Sequence, residues 1–187
     1  MRWHIAATVL FLGCSHAAPA PPPAAQRSAN GDWIERSNRN AQVLLDVRAR
    51  FTPELAARTG VVGIDERISD FTPGHRERLR QALREAVSTL EGRRGGERDV
   101  NVVQDLAILV DAAERQLNGS ELQEKLEVPY ANVPRLVFGS VRGLLDPQVA
   151  PERRPAALAR VRKYAGIEQG YRPVVELAEA ETREGFR

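Results

Sequence analysis

The chain holds one cysteine and three histidines, so thiol and imidazole chemistry rests on very few side chains. Cys14 ends the run Phe11-Leu12-Gly13-Cys14. That run resembles a lipobox, in which a signal is cut before the cysteine and the thiol then carries lipid. Gly13 fits well; Phe11 fits less well, because leucine is usual there. No second cysteine exists, so Cys14 has no intrachain disulfide partner. A thioether-linked lipid accounts for a lone cysteine at this place. A competing cut is offered by Ala18-Pro19-Ala20, an A-x-A cleavage site. That cut would discard Cys14 and release the chain. Cys14 is therefore the candidate lipidation residue, and the lone cysteine favours the first reading.

The histidines are His4, His16 and His75. A catalytic zinc site commonly takes two histidines and a carboxylate, often as H-E-x-x-H on one helix. His4 and His16 fall in the N-terminal segment, so only His75 lies in the folded region. No metal, catalytic or cofactor-binding residue is expected in this chain. His75 follows Pro73-Gly74 and reads as an exposed residue in the first turn of a helix. A Ser-His-acid triad would also need His75, and no G-x-S-x-G elbow is present. Gly92-Arg93-Arg94-Gly95-Gly96 lacks the Lys-Ser/Thr of a phosphate-binding P-loop and reads as an interhelical turn. Asn118-Gly119-Ser120 matches a glycosylation sequon, a match frequent by chance. Carboxylates cluster as Asp65 with Glu66, Asp105 with Asp111, and Glu121 with Glu124. On arginine-rich helices these read as ion-pair partners, each exposed pair contributing about 0–1 kcal/mol.

The segment that must deliver Cys14 is an export signal over residues 1–20, or 1–13 if the lipobox is cut. Arg2 supplies positive charge, and residues 5–12 (IAATVLFL) form an apolar run. A spanning helix needs about 20 apolar residues, so this run is too short to cross a membrane. It suits the apolar region of a secretory signal. The expected location is the periplasmic side of a bacterial membrane if lipidated, or periplasmic or secreted if cut after Ala20. Lipid contributes about 0.8 kcal/mol per buried CH₂, so stable anchoring takes more than one acyl chain. Residues 17–30 are rich in Pro and Ala and read as an extended, semi-rigid spacer.

Residues 31–187 are enough for one helical domain. Charged residues make up 28% and hydrophobic ones 42%, a globular balance. Net charge is only +2, although 25 of the 27 basic residues are arginine. Arg and Glu alternate, as in HRERLRQALRE, which is the pattern of a solvated helix face. The composition therefore argues against a nucleic-acid partner.

The expected fold is all-α: an irregular multi-helix bundle with short Gly/Pro turns. One helix is expected over 32–51, with Ile34, Ala41, Leu44, Leu45 and Phe51 on one side. Thr52-Pro53 and Thr72-Pro73 read as paired start signals, Thr as cap and Pro in the first turn. Residues 60–65 form an apolar loop, the one strand-like stretch. The helix after Thr72-Pro73 carries Leu79, Leu83, Ala86 and Leu90, and Gly92 and Gly95-Gly96 are expected to end it. Its successor carries Val103, Leu106, Val110, Ala113 and Leu117. Asn118-Gly119 should stop that one, with Ser120 and Gln123 as a capping box for a short follower. Asn132 should cap a helix over 133–145, apolar almost all round and so buried on several sides. Pro151 opens a further helix with Ala157, Leu158 and Val161 inward. Gly166 and Gly170 bracket a turn before a last helix near Arg172.

Three runs carry a family resemblance. They are DWIERSNRNAQVLLDVRARFTPELAARTGVVGIDERISDFTPG, VQDLAILVDAAERQLNGSELQEKLEVPYANVPRLVFGSVRGLLD and PERRPAALARVRKYAG. Together, over residues 32–183, they resemble the N-terminal region of the bacterial "domain of unknown function 885" family. That resemblance implies a largely helical, considerably longer protein akin to zinc metallopeptidases of the gluzincin kind. It places the metal on a His-Glu…His helix in the C-terminal half, so no residue of that motif maps onto this chain. Zinc and a peptide substrate are implied only for a full-length form. The matched region would cover one side of the substrate cleft. Gly185-Phe186-Arg187 follow without a closing helix, so a truncated chain, inactive alone, is the expectation. The alternative is a helical lipoprotein acting as a non-catalytic binding or scaffolding module.

Overall fold

A computed structural model describes residues 24–186. The fold is all-α, as expected. The helices are α1 (Ala24–Phe51), α2 (Pro53–Arg58), α3 (His75–Gly96), α4 (Val100–Leu126), α5 (Val133–Leu145), α6 (Pro155–Tyr164) and α7 (Val174–Gly185). A single 3-10 turn, Pro151–Arg153, precedes α6. Among the described residues there is no strand; residues 60–65 make turns instead. Gly60 and Gly63 take positive φ there (+99° and +80°), which glycine adopts without a Cβ penalty. The turns drive Ile64 into the core while Val62 stays 92% exposed.

Helix α1 begins at Ala24, so the stretch read as an extended spacer is helical from that residue onward. Ala, Gln and Arg are good helix formers, and one glycine at position 31 costs only about 1 kcal/mol. Helix α3 starts later than Thr72-Pro73 suggested. Asp70 Oδ1 accepts from both the amide (2.8 Å) and the hydroxyl (2.6 Å) of Thr72. That turn occupies the hydroxyl, and the helix opens only at His75, after Gly74 at φ +77°. At α2 Thr52 does stand at the N-cap, but its hydroxyl makes no capping bond and instead lies 3.3 Å from the Arg48 carbonyl.

Helices α1, α3 and α4 pack into one bundle. Its core is Leu90, Val102, Leu106 and Val110, sealed by Trp33, Leu44 and Val87. Asp99 caps α4, its Oδ1 accepting from the Asn101 amide at 3.0 Å. With that start, Val102 is fully buried and Val103 only half so. Helix α3 runs through Gly92 and ends at Gly96, within its expected stop, whereas α4 continues through Asn118-Gly119 to Leu126. The antiparallel seam outweighs the glycine penalty. Past the seam, Arg80 of α3 holds Glu124 of α4 at 2.6 Å, and Arg84 lies 3.9 Å from Glu121.

The second half is α2, α5, α6 and α7. Asn132 caps α5 as expected, its Oδ1 accepting from the Arg135 amide at 3.0 Å. Val133 joins Tyr164, Val174 and Ala178 in a second core, and Leu144 joins Ala156 and Ala157 in a third. The remaining apolar side of α5 is not covered: Phe138 is 65% exposed and Leu145 51%. Helix α6 is rotated from the expected register. Leu158 and Val161 face out, while Ala156, Ala157, Arg160 and Tyr164 face in. The polar partners of Arg160 and Tyr164 explain the rotation. Gly166 (φ +69°) then lets the chain double back, since a Cβ there would stand 2.5 Å from Pro173 Cδ.

Candidate functional site

The inward face of α6 meets α2 and α5 in a buried polar chain. Pro53 sets the first turn of α2 and directs Glu54 inward, 6% exposed. Glu54 Oε1 accepts from the Ser69 amide (2.7 Å) and the Tyr164 hydroxyl (2.7 Å), and Oε2 from the Ser69 hydroxyl (2.6 Å). Tyr164 Oη lies 3.0 Å from Ser140 Oγ on α5. Arg160 Nη1 donates to that same Oγ at 3.1 Å, and its Nε donates to the Arg67 carbonyl at 3.1 Å. Each hydroxyl can thus accept from one neighbour and donate to the next, running from Arg160 to Glu54. Burial, with the Glu54 charge beside it, pushes the Tyr164 hydroxyl well above the ordinary tyrosine range. Burial also holds the Arg160 guanidinium below its ordinary value.

Arg160 is only 1% exposed, yet its Nη2 has no hydrogen-bond partner. It lines a cavity of about 520 Å³ between α2, α5 and the 3-10 turn. Arg58, Arg135, Arg142 and Arg153 line the same cavity, and Asp146 is its one acid. Arg135, Gly139, Arg142 and Gly143 share one side of α5, being three or four apart. The Arg58 stem runs over α5, its Cδ 3.6 Å from where a Gly143 Cβ would stand. Arg153 is neutralised: Nε and Nη2 grip Asp65 at 2.7 and 2.6 Å. That bidentate contact holds Asp65 below its ordinary 3.8. Among the described residues, Arg58, Arg135, Arg142 and Arg160 have no carboxylate oxygen within 4.0 Å.

The residues singled out from sequence fall elsewhere. Cys14, His4 and His16 lie outside the described residues. His75 is half-buried rather than exposed: Nδ1 is 3.3 Å from the Thr72 carbonyl and Nε2 is 3.9 Å from Glu181. Glu181 is already held by Arg76 Nε at 2.5 Å. Those two side chains do not fit a zinc ion, and among the described residues no group of three or more His, Cys, Asp or Glu is placed to hold a metal. Asp65, Asp111, Glu121 and Glu124 are ion-pair partners, as read from sequence; Glu66 and Asp105, read the same way, have no cationic side chain within 4.0 Å among the described residues. No described helix is long and apolar enough to cross a membrane. The cavity arginines went unmarked because arginine is everywhere in this chain. The one available signal was the spacing of Ala156, Ala157, Arg160 and Tyr164 on a single helix face. No family model, curated protein or solved structure matches this chain, so the resemblance drawn from sequence stands on its own residues.

Proposed function

We propose that this chain is the exported, membrane-tethered N-terminal helical segment of a metallopeptidase-like hydrolase. On this reading it supplies binding surface, and the chemistry resides in polypeptide that carries the His-Glu…His motif. Support comes from the outer side of α5 and α6. There Val137, Phe138, Val141, Leu145 and Val161 line an apolar groove of about 750 Å³. Contiguous exposed apolar surface of this kind marks a contact site, and the remainder of a longer hydrolase fold is its occupant. The coding DNA downstream of codon 187 supplies the test. A frame encoding a His-Glu…His helix, whose product co-purifies with this chain and is released by Phe138→Glu, is the expected result. A terminator with no such frame nearby overturns the reading.

The arginine-lined cavity favours a second reading, a helical lipoprotein that binds a ligand without transforming it. Both readings share the tether. Cys14→Ala should move the protein from the membrane fraction to the soluble one. Unchanged fractionation removes the lipid anchor from either reading.

A further inference from the structure

We propose that the cavity between α2, α5 and α6 is a binding site for a multiply charged oxyanion, with phosphate as the group it fits. Arg58, Arg135, Arg142 and Arg160 line it, and among the described residues none of them has a carboxylate oxygen within 4.0 Å; Asp146 is the one acid on its wall. Arginine carries its positive charge at any physiological pH and binds phosphate or carboxylate oxygens through paired N–H groups. Like charges gathered around a single unpaired acid repel one another, an arrangement that destabilises the protein unless an anion completes it. A single carboxylate would offset one of these charges, whereas a phosphate ester offsets two and presents three acceptor oxygens.

Arg160 separates this cavity from an ordinary basic surface. Its guanidinium is 1% exposed, fixed by Ser140 Oγ and the Arg67 carbonyl, and leaves Nη2 without a partner. A buried donor left unpaired costs free energy, and because Nη2 exposes less than 1 Å², an oxyanion in the cavity would act on this guanidinium through its charge. The Glu54–Tyr164–Ser140 chain holds Arg160 in place from behind, so the guanidinium is pre-organised before any ligand arrives. Asp65 does the same for Arg153 at the far wall. The floor is open as well. Gly139 faces the cavity, and a Cβ there would meet nothing within 4 Å. Phosphate of this kind reaches an exported protein either free in solution or on the headgroup of an anionic lipid. The chemistry of recognition is the same for both.

The test is titration calorimetry of the full chain with pyrophosphate at constant ionic strength. The expected result is saturable binding at one site per chain. Replacing Arg135 and Arg142 together by Ala should weaken it at least tenfold. Gly139→Leu should do the same by filling the floor; it removes no charge and adds a better helix former, so folding is retained. Arg115→Ala, in an exposed pair with Asp111 on α4, should leave binding unchanged. In the Cys14→Ala background, a preference for phosphatidylglycerol over phosphatidylcholine vesicles that pyrophosphate abolishes assigns the site to lipid headgroups. Pyrophosphate binding without that preference assigns it to free phosphate. Absence of saturable binding at millimolar pyrophosphate overturns the proposal. So does binding that Arg115→Ala weakens as much as the cavity variants do.

Discussion

In the α1–α3–α4 half, Arg36 reaches Asp32, Glu97 and Asp99, and Arg80 reaches Glu77 and Glu124. In the α2–α5–α6 half, Arg58, Arg135, Arg142 and Arg160 line one cavity, and among the described residues none has a carboxylate oxygen within 4.0 Å. The same residue type therefore serves two ends. In the bundle it joins helices already held by an apolar seam of Leu90, Val102, Leu106 and Val110. Around the cavity, among the described residues, only Arg153 is ion-paired, to Asp65, and the polar chain from Glu54 to Arg160 fixes the innermost of the others. One half uses arginine to tie its elements together. The other keeps Arg58, Arg135, Arg142 and Arg160 without an ion pair among the described residues.

Substitutions should separate the halves by size and sign. The largest effect belongs to the bundle seam. Leu106→Ala empties a fully buried site and should cost about 2–5 kcal/mol in chemical denaturation. Next is the polar chain. Glu54→Gln leaves at least one of the three donors that converge on the carboxylate poorly paired, a loss of about 1–3 kcal/mol. It should also loosen Arg160, seen as faster hydrogen exchange in α6 with α3 and α4 unchanged. Equal loosening of both halves would show that the chain is not a separate unit.

The third is a pH effect. Folding holds the Tyr164 proton more tightly than the unfolded chain does, whose tyrosine titrates near 10.0. Above that pH the unfolded state has released a proton that the folded state still holds, so stability falls as pH rises. Tyr164→Phe should be less stable at neutral pH and should flatten this alkaline decline. An unchanged slope would mean that Tyr164 is not buried as described. The smallest effect is the sharpest contrast. Arg115→Ala breaks an exposed pair and should lose about 0.3–0.5 kcal/mol. Replacing Arg135 and Arg142 together by Ala should raise stability by up to about 0.5 kcal/mol, because it relieves repulsion that no ion pair offsets. A loss from the cavity pair would place those arginines among the stabilising ones.

The helices were legible because their information is local. The stripe Leu83, Ala86 and Leu90, the cap at Asn132 and the turn at Gly166 each involve residues a few positions apart. What misled was also local. Gly92 and Asn118-Gly119 look like stops, yet contacts between α3 and α4 carry both helices past them. The cavity could not be read in this way. Arg58, Arg135 and Arg160 are far apart in the chain, and their defining property is the lack of a partner, which appears only once the chain has folded. Conversely Cys14 is legible only as a motif.

The most direct measurement is the thermal unfolding of the full chain in phosphate against chloride at equal ionic strength. A ligand that binds the folded state alone adds RT ln(1 + [L]/Kd), about 2.7 kcal/mol at a hundredfold excess over Kd. The midpoint should rise with phosphate concentration in the parent chain and stay level in the Arg135→Ala, Arg142→Ala variant. A parent midpoint that ignores phosphate, or the same rise in both proteins, would contradict the contrast between the two halves.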